Sequence, residues 1–163
     1  MNVKKLTFLS IAVALAMILS FIESQIPPFV AIPGVKVGLS NIVTVFLIYT
    51  YGWREAGSVS LIRVVLSSLL FSSFVGLLYS LSGALLSFIL MLIMKKTGLF
   101  SVIGVSVVGG VSHNAGQIIC ACFVMENAAI SYYLPPLIIS GVIAGVAVGI
   151  LSGIITEKLK GKI

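Results

Sequence analysis

Six apolar stretches follow one another along this chain with only short polar breaks between them, and that succession decides what it can fold into. They run over Leu6–Ile22, Val37–Tyr51, Glu55–Phe74, Leu77–Met94, Leu99–Val124 and Pro135–Thr156. A helix needs about 20 mostly apolar residues to cross a bilayer, so a chain of 163 residues has room for about six spans joined by short connections. Composition removes the soluble alternative. Only 9% of residues are charged and 60% are apolar, with a mean hydropathy of +1.25, whereas soluble domains carry about 25% charged residues. The expected fold is an all-α integral membrane bundle of about six transmembrane helices, with residues 1–163 forming a single transmembrane domain. No internal repeat or low-complexity tract interrupts it.

The first stretch follows Lys4 and Lys5, as the apolar part of a secretory signal would, but it exceeds the usual 7–15 residues and no small-x-small cleavage site follows, so it is expected to stay as a span. The loop from Gln25 to Lys36 contains Pro27, Pro28 and the turn signal Pro33-Gly34. The second stretch is too short for a full crossing at about 1.5 Å per residue, which predicts a tilt, a thinned edge or a partly re-entrant loop. The boundary near Ser72-Ser73-Phe74-Val75-Gly76 is the least marked.

Charge sets the orientation. Lys4, Lys5, Arg54, Lys95, Lys96, Lys158, Lys160 and Lys162 fall on one side if the spans alternate, leaving Lys36 opposite and Arg63 inside a span. By the positive-inside rule the N- and C-termini are cytoplasmic. Tyr49, Tyr51 and Trp53 then mark the inner interface, and Phe29, Tyr132 and Tyr133 the outer one. The net charge of +6 is thereby read as orientation, and no nucleic acid is expected as a partner.

The chain has no Asp, and its four Glu (Glu23, Glu55, Glu126, Glu157) are scattered. Diphosphate chemistry through paired Mg²⁺ usually needs clustered carboxylates, so the chain is expected not to be an enzyme. Cys120 and Cys122 are two apart in a helical run, where they point in different directions, and read as small packing residues. His113 and Cys120 share a helix face but lack further ligands nearby in sequence, so neither a metal nor a cofactor is expected.

Polar groups inside the bilayer carry the functional information. An Arg at mid-span costs about 2.5–3.5 kcal/mol on insertion scales and is kept where it faces a cavity or a partner. Arg63 either ties helices together or neutralises an anionic ligand, with Glu23 and Glu126 as alternative protein partners. Ser112-His113-Asn114-Ala115-Gly116-Gln117 places His113 and Gln117 on one face and Asn114 on the next. Counted from Leu99, His113 falls in the outer half, where the cluster either lines a pocket or serves as interhelical hydrogen-bond glue. Glu23 to Asn41 reads as a folded lid or as a plain loop with an interface lysine, and Lys36, Ser40 and Asn41 would meet an anion at a helix N-terminus. Two small-residue stripes, Ala12/Ala16 and Gly141/Gly145/Gly149/Gly153, allow close helix approach.

Glu23-Ser24, Pro33-Gly34-Val35-Lys36-Val37-Gly38-Leu39-Ser40-Asn41, Gly52-Trp53-Arg54-Glu55-Ala56, Arg63 and the His113–Gln117 segment together resemble the Gx transporter family, also labelled heptaprenyl diphosphate synthase component I. The resemblance covers nearly the whole chain. It is similar to the substrate-binding S components of energy-coupling factor (ECF) transporters, six-helix bundles that bind a small molecule near the outer surface and dock to a coupling membrane subunit with ATPases. The resemblance implies a substrate site of Lys36, Asn41, Arg63, His113, Asn114 and Gln117, a gate loop with Glu23, Pro33 and Gly34, and partner docking through Ala12 and Ala16. No Gly-x-x-x-x-Gly-Lys loop occurs, so any ATP-driven step would belong to partners. The expected protein is a noncatalytic subunit of the bacterial cytoplasmic membrane that takes up a small anionic or amphipathic substrate from outside. The alternatives are a membrane subunit handling a prenyl diphosphate, quinone or flavin for a prenyl synthase or electron-transfer system, and a purely structural subunit.

Overall fold

The computed structural model describes residues 3–25 and 38–159. They form six α-helices, α1 (Val3–Gln25), α2 (Asn41–Thr50), α3 (Trp53–Phe71), α4 (Phe74–Thr97), α5 (Val102–Val124) and α6 (Leu134–Leu159), with a 3-10 turn over Ala128–Tyr133 before the last. There is no strand among the described residues. Four stretches are long and apolar enough to cross a membrane: α1, α4, α5, and Ala128–Leu159, which contains α6. The remaining two helices depart for visible reasons. α2 has only 10 residues, and α3 carries Arg54, Glu55, Arg63 and several serines.

Short polar residues make the breaks. Between α3 and α4, Ser72 is extended and Ser73 caps α4 by accepting the Gly76 N–H at 3.1 Å, so the weakly marked boundary is a two-residue turn. Gly98 closes α4 with φ +70, and Ser101 caps α5 by accepting from Gly104 at 3.2 Å. Gly52, at φ +103, makes the equally tight joint between α2 and α3. After α5, Glu126 adopts φ +49 and is exposed on the surface, which removes it as a partner for Arg63.

α5 is the central helix, packed along its length against α4 and α6. Glycine allows the contact. A Cβ on Gly145 would lie 2.6 Å from the Val107 Cα, one on Gly110 would lie 2.4 Å from the Gly141 carbonyl, and one on Gly149 would lie 2.6 Å from the Ile103 Cα. On the other side Gly83 meets Gly116, and Ser82 and Ser87 of α4 donate to the Gly116 and Gly109 carbonyls, each at 2.8 Å. Lipid tails are as apolar as leucine, so helix association in a bilayer rests on such close backbone approach and interhelical hydrogen bonds. Gly153 meets nothing within 4 Å and stands outside the packed stripe.

α1, α2 and α3 build the other half. Ala12 and Ala16 are buried in a cluster with Val45, Phe46, Leu47 and Val59, and Phe8 stacks near Phe46 and Tyr51. The alanine pair therefore faces into the bundle. This corrects the docking role expected for Ala12 and Ala16: their small size lets α1 close on its neighbours, and the outward face of α1 is Ile11, Leu15, Ile18 and Ile22. Large apolar side chains face outward across the whole surface, including Leu69, Phe74, Leu85 and Ile143, while serines, glycines, Asn114, Gln117 and Arg63 are inside. That distribution is stable only in lipid.

The helices alternate in direction. Lys5 at the start of α1 pairs with Glu55 at the start of α3 at 2.5 Å, and Lys95 at the end of α4 donates to the Ile48 carbonyl at the end of α2 at 2.5 Å. Lys4, Lys5, Arg54, Lys95, Lys96 and Lys158 consequently share one end of the bundle. Tyr49, Tyr51 and Trp53 form an aromatic belt there, each beneath a cation: Lys95, Lys5 and Arg54 respectively.

Forcing a side chain into the α5–α6 contact should separate the helices. Gly145→Leu is expected to lower the thermal stability of the detergent-solubilised protein, by about 1–3 kcal/mol as for other overpacked sites. Gly153→Leu should leave the melting temperature unchanged. Size-exclusion recovery after heating distinguishes the two.

Candidate functional site

The polar interior is organised around one face of α3. Ser60, Arg63 and Ser67 are three to four residues apart and therefore stack along one side of the helix, and all three are buried. Ten residues from Trp53 place Arg63 about 15 Å along the helix, half the thickness of a hydrocarbon core of about 30 Å. It is 5% exposed, and neither Nε nor Nη2 has a hydrogen-bond partner among the described residues.

Glu23 supplies the counter-charge. Its carboxylate acts on Arg63 electrostatically and also accepts the backbone N–H groups of Gly38 and, at 3.4 Å, Leu39. These amides open the turn that leads into α2, so the partial positive charge at that helix start faces a carboxylate of the protein itself. The expected anion position at this N-terminus is thus held by Glu23, and Ser40 makes no side-chain cap. Gly38 has φ +92, a conformation that suits glycine, and packs beside Asn41 and His113: a Cβ there would lie 3.0 Å from the Asn41 amide nitrogen and 3.8 Å from the His113 ring.

This arrangement places the start of α2 deep in the bundle. Gly38 and Asn41 line, with Ser106, Gly110, Ala144, Gly145 and Val148, an internal pocket of about 10 Å³, room for about one water. Ser106 and Gly110 belong to the first half of α5, and Ser152 of α6 donates to the Ile42 carbonyl at 3.1 Å. α2 therefore runs from the middle of the bundle to its basic end, and its shortness reflects that start at mid-depth.

His113 and Gln117 share a face of α5 and pack on Gly83 of α4, where a Cβ would come within 3.2 Å of both side chains. Because Ser101 starts α5 later than expected, His113 lies about 16 Å from the helix start and at the middle of its 23 residues, instead of in the outer half. Asn114 turns toward α6 and donates from Nδ2 to the Leu137 carbonyl at 2.7 Å. Its Nδ2 thus serves as interhelical glue, while its Oδ1 is buried with no hydrogen-bond partner among the described residues.

Gly38 thus joins Glu23, Asn41 and His113, and Glu23 links this group electrostatically to Arg63, with Gln117 one turn further along α5. Asn114 turns its Nδ2 to α6. Lys36, Pro33 and Gly34 lie outside the described residues. The serines were not singled out in the sequence: Ser60 and Ser67 beside Arg63, and Ser80 and Ser87 in the α4 stripe Gly76-Ser80-Gly83-Ser87. Their spacing was the available signal, since a polar stripe in a membrane helix faces inward.

A family model described as heptaprenyl diphosphate synthase component I matches residues 12–155. The chain belongs to that family. The match spans every helix that contributes to the polar cluster, from Glu23 in α1 through Ser152 in α6. No curated protein and no solved structure matches the chain.

Glu23 and Arg63 should behave as a coupled pair. Glu23→Gln and Arg63→Gln are each expected to lower stability, since removing one partner of a buried pair costs about 3–5 kcal/mol. The double variant should lose less than the sum. Melting temperatures of the four proteins in one detergent give the coupling, and strict additivity would exclude the pairing.

Proposed function

We propose that this protein is a small-molecule-binding membrane subunit, similar to an ECF S component, that takes up a small anionic or amphipathic substrate from the outer side of the bacterial cytoplasmic membrane. In this reading all six helices lie in the bilayer and both termini are cytoplasmic, with the basic end and its aromatic belt at the inner interface. The chain itself does no covalent chemistry, and energy comes from a coupling membrane subunit with ATPases.

One observation carries the reading: Arg63 is buried at mid-depth with two nitrogens that make no hydrogen bond to the described residues. Buried guanidinium donors are normally satisfied, and Glu23 divides its carboxylate between Arg63 and the Gly38 and Leu39 amides. An anionic group entering from the outer side would complete the guanidinium. Asn41 would orient it, His113 would donate or accept according to its tautomer, and Gln117 would add an amide one turn away. Lys36 and the loop holding Pro33 and Gly34 connect Glu23 to Gly38 in sequence, which is where a gate over this cluster would sit.

The family description favours a second reading, in which the same cluster holds a prenyl diphosphate, quinone or flavin for a synthase or redox partner without acting on it. The absence of Asp from the chain agrees with a noncatalytic part in either case.

Purification from native membranes in mild detergent, with mass spectrometry of bound proteins and small molecules, separates the readings. A coupling membrane subunit with ATPases is the expected company; a prenyltransferase or redox subunit in its place would favour the second. The released small molecule should rebind the wild type. Arg63→Gln should weaken it roughly tenfold to hundredfold, as loss of a charged hydrogen bond does, while Asn114→Ala binds normally. Unchanged affinity in Arg63→Gln removes Arg63 from the site.

A further inference from the structure

A second, separate recognition feature lies on the outside of the bundle along the seam between α3 and α4. At the basic end, Gly52, Trp53, Leu92, Lys95 and Lys96 line a surface cavity of about 530 Å³. Farther along the same seam is an open groove of about 80 Å³, whose walls include Gly57, Leu61 and Val64 of α3 and Leu81, Leu85 and Phe88 of α4. The two follow each other in antiparallel register: Trp53 and Leu92 share the first, and Gly57 and Phe88 begin the second. A Cβ on Gly57 would stand 3.2 Å from the Phe88 ring, so the absence of a side chain there keeps the groove open beside the ring.

We propose that this seam binds one anionic phospholipid of the surrounding leaflet, with its phosphate between the lysines and an acyl chain in the groove. Charge complementarity selects the head. Lys96 is exposed, and Lys95 uses one ammonium hydrogen on the Ile48 carbonyl. Glu55 lies beside the cavity wall, its Oε2 3.9 Å from where a Cβ on Gly52 would stand, and its charge is countered by Lys5, which meets Oε1 at 2.5 Å. Length and polarity select the tail. From Trp53 to Val64 the seam covers about 16 Å, close to one leaflet of a core about 30 Å thick, and the groove walls are apolar or glycine except for Ser60. A soluble anion would use the lysines and leave the groove empty; a neutral lipid would use the groove and gain nothing from the lysines. The groove meets the polar face of α3 only at Ser60, and lipid binding there does not depend on what the Arg63 cluster binds.

The test is native mass spectrometry of the delipidated protein titrated with phosphatidylglycerol or phosphatidylcholine of equal chain length, with inorganic pyrophosphate as competitor. Phosphatidylglycerol should be retained in preference. Lys96→Gln should weaken it roughly fivefold, the value of one lysine near an anionic headgroup, and Lys158→Gln, at the same end but outside the cavity, should not. Gly57→Leu should fill the groove and weaken phosphatidylglycerol while the protein still elutes as a folded peak. Lys95 is left intact because it also holds α2. Equal retention of the two lipids, an equal effect of Lys158→Gln, or displacement of phosphatidylglycerol by pyrophosphate at comparable concentration would each overturn the proposal.

Discussion

A guanidinium held at the middle of an apolar bundle sets the terms for what surrounds it. Arg63 is about 15 Å from the start of α3 and about 12 Å from its end, too far to reach water comfortably, so the protein must bring polar groups to it. It does so at a structural cost. The carboxylate of Glu23 comes from the far end of α1, and the start of α2 enters the bundle so that Gly38 and Leu39 can donate to that carboxylate. A ten-residue helix in a protein that otherwise spans a bilayer makes sense only in that context.

The other half of the bundle provides the rigid wall. α4, α5 and α6 are locked by glycine at contacts where a single methyl group would collide with backbone, and by serine hydroxyls and Asn114 donating to carbonyls of the next helix. Such a wall can present His113 and Gln117 in a fixed position, whereas the α1–α2 side, joined through Glu23, carries the charge that acts on Arg63 electrostatically. In the proposed function this division, one side glued by backbone approach and the other carrying the charged groups, is what would let the subunit admit and release an anion.

Much of this was legible in the sequence, for physical reasons. Bilayer thickness and the cost of unsatisfied backbone force long apolar helices, so the six helical stretches were legible from hydropathy, although only four of those described are long and apolar enough to cross a membrane. The shortness of the second stretch marked it as unable to cross fully, with a tilt, a thinned edge or a partly re-entrant loop all open, and α2 has only 10 residues. Arg63 stood out because a charge inside a span is expensive. What a side chain meets was harder to read. Asn114 and His113 are adjacent and equally polar, yet one meets a carbonyl of α6 and the other the turn before α2. Ala12 and Ala16 have a spacing that serves inward packing and outward docking equally well, and only the position of neighbouring helices decides between them. The buried serines escaped notice because serine is unremarkable in composition and informative only by the face it occupies.

The account rests on an anion completing the Arg63 cluster, and the most direct measurement is an experimental structure of the protein taken from its native membrane in mild detergent. The account predicts density for an anionic group within hydrogen-bond distance of Arg63 Nε or Nη2, bounded by Glu23, Asn41 and His113. A guanidinium fully satisfied by Glu23 and other groups of the chain, with no density beside it, would contradict it and leave Arg63 as a structural tie.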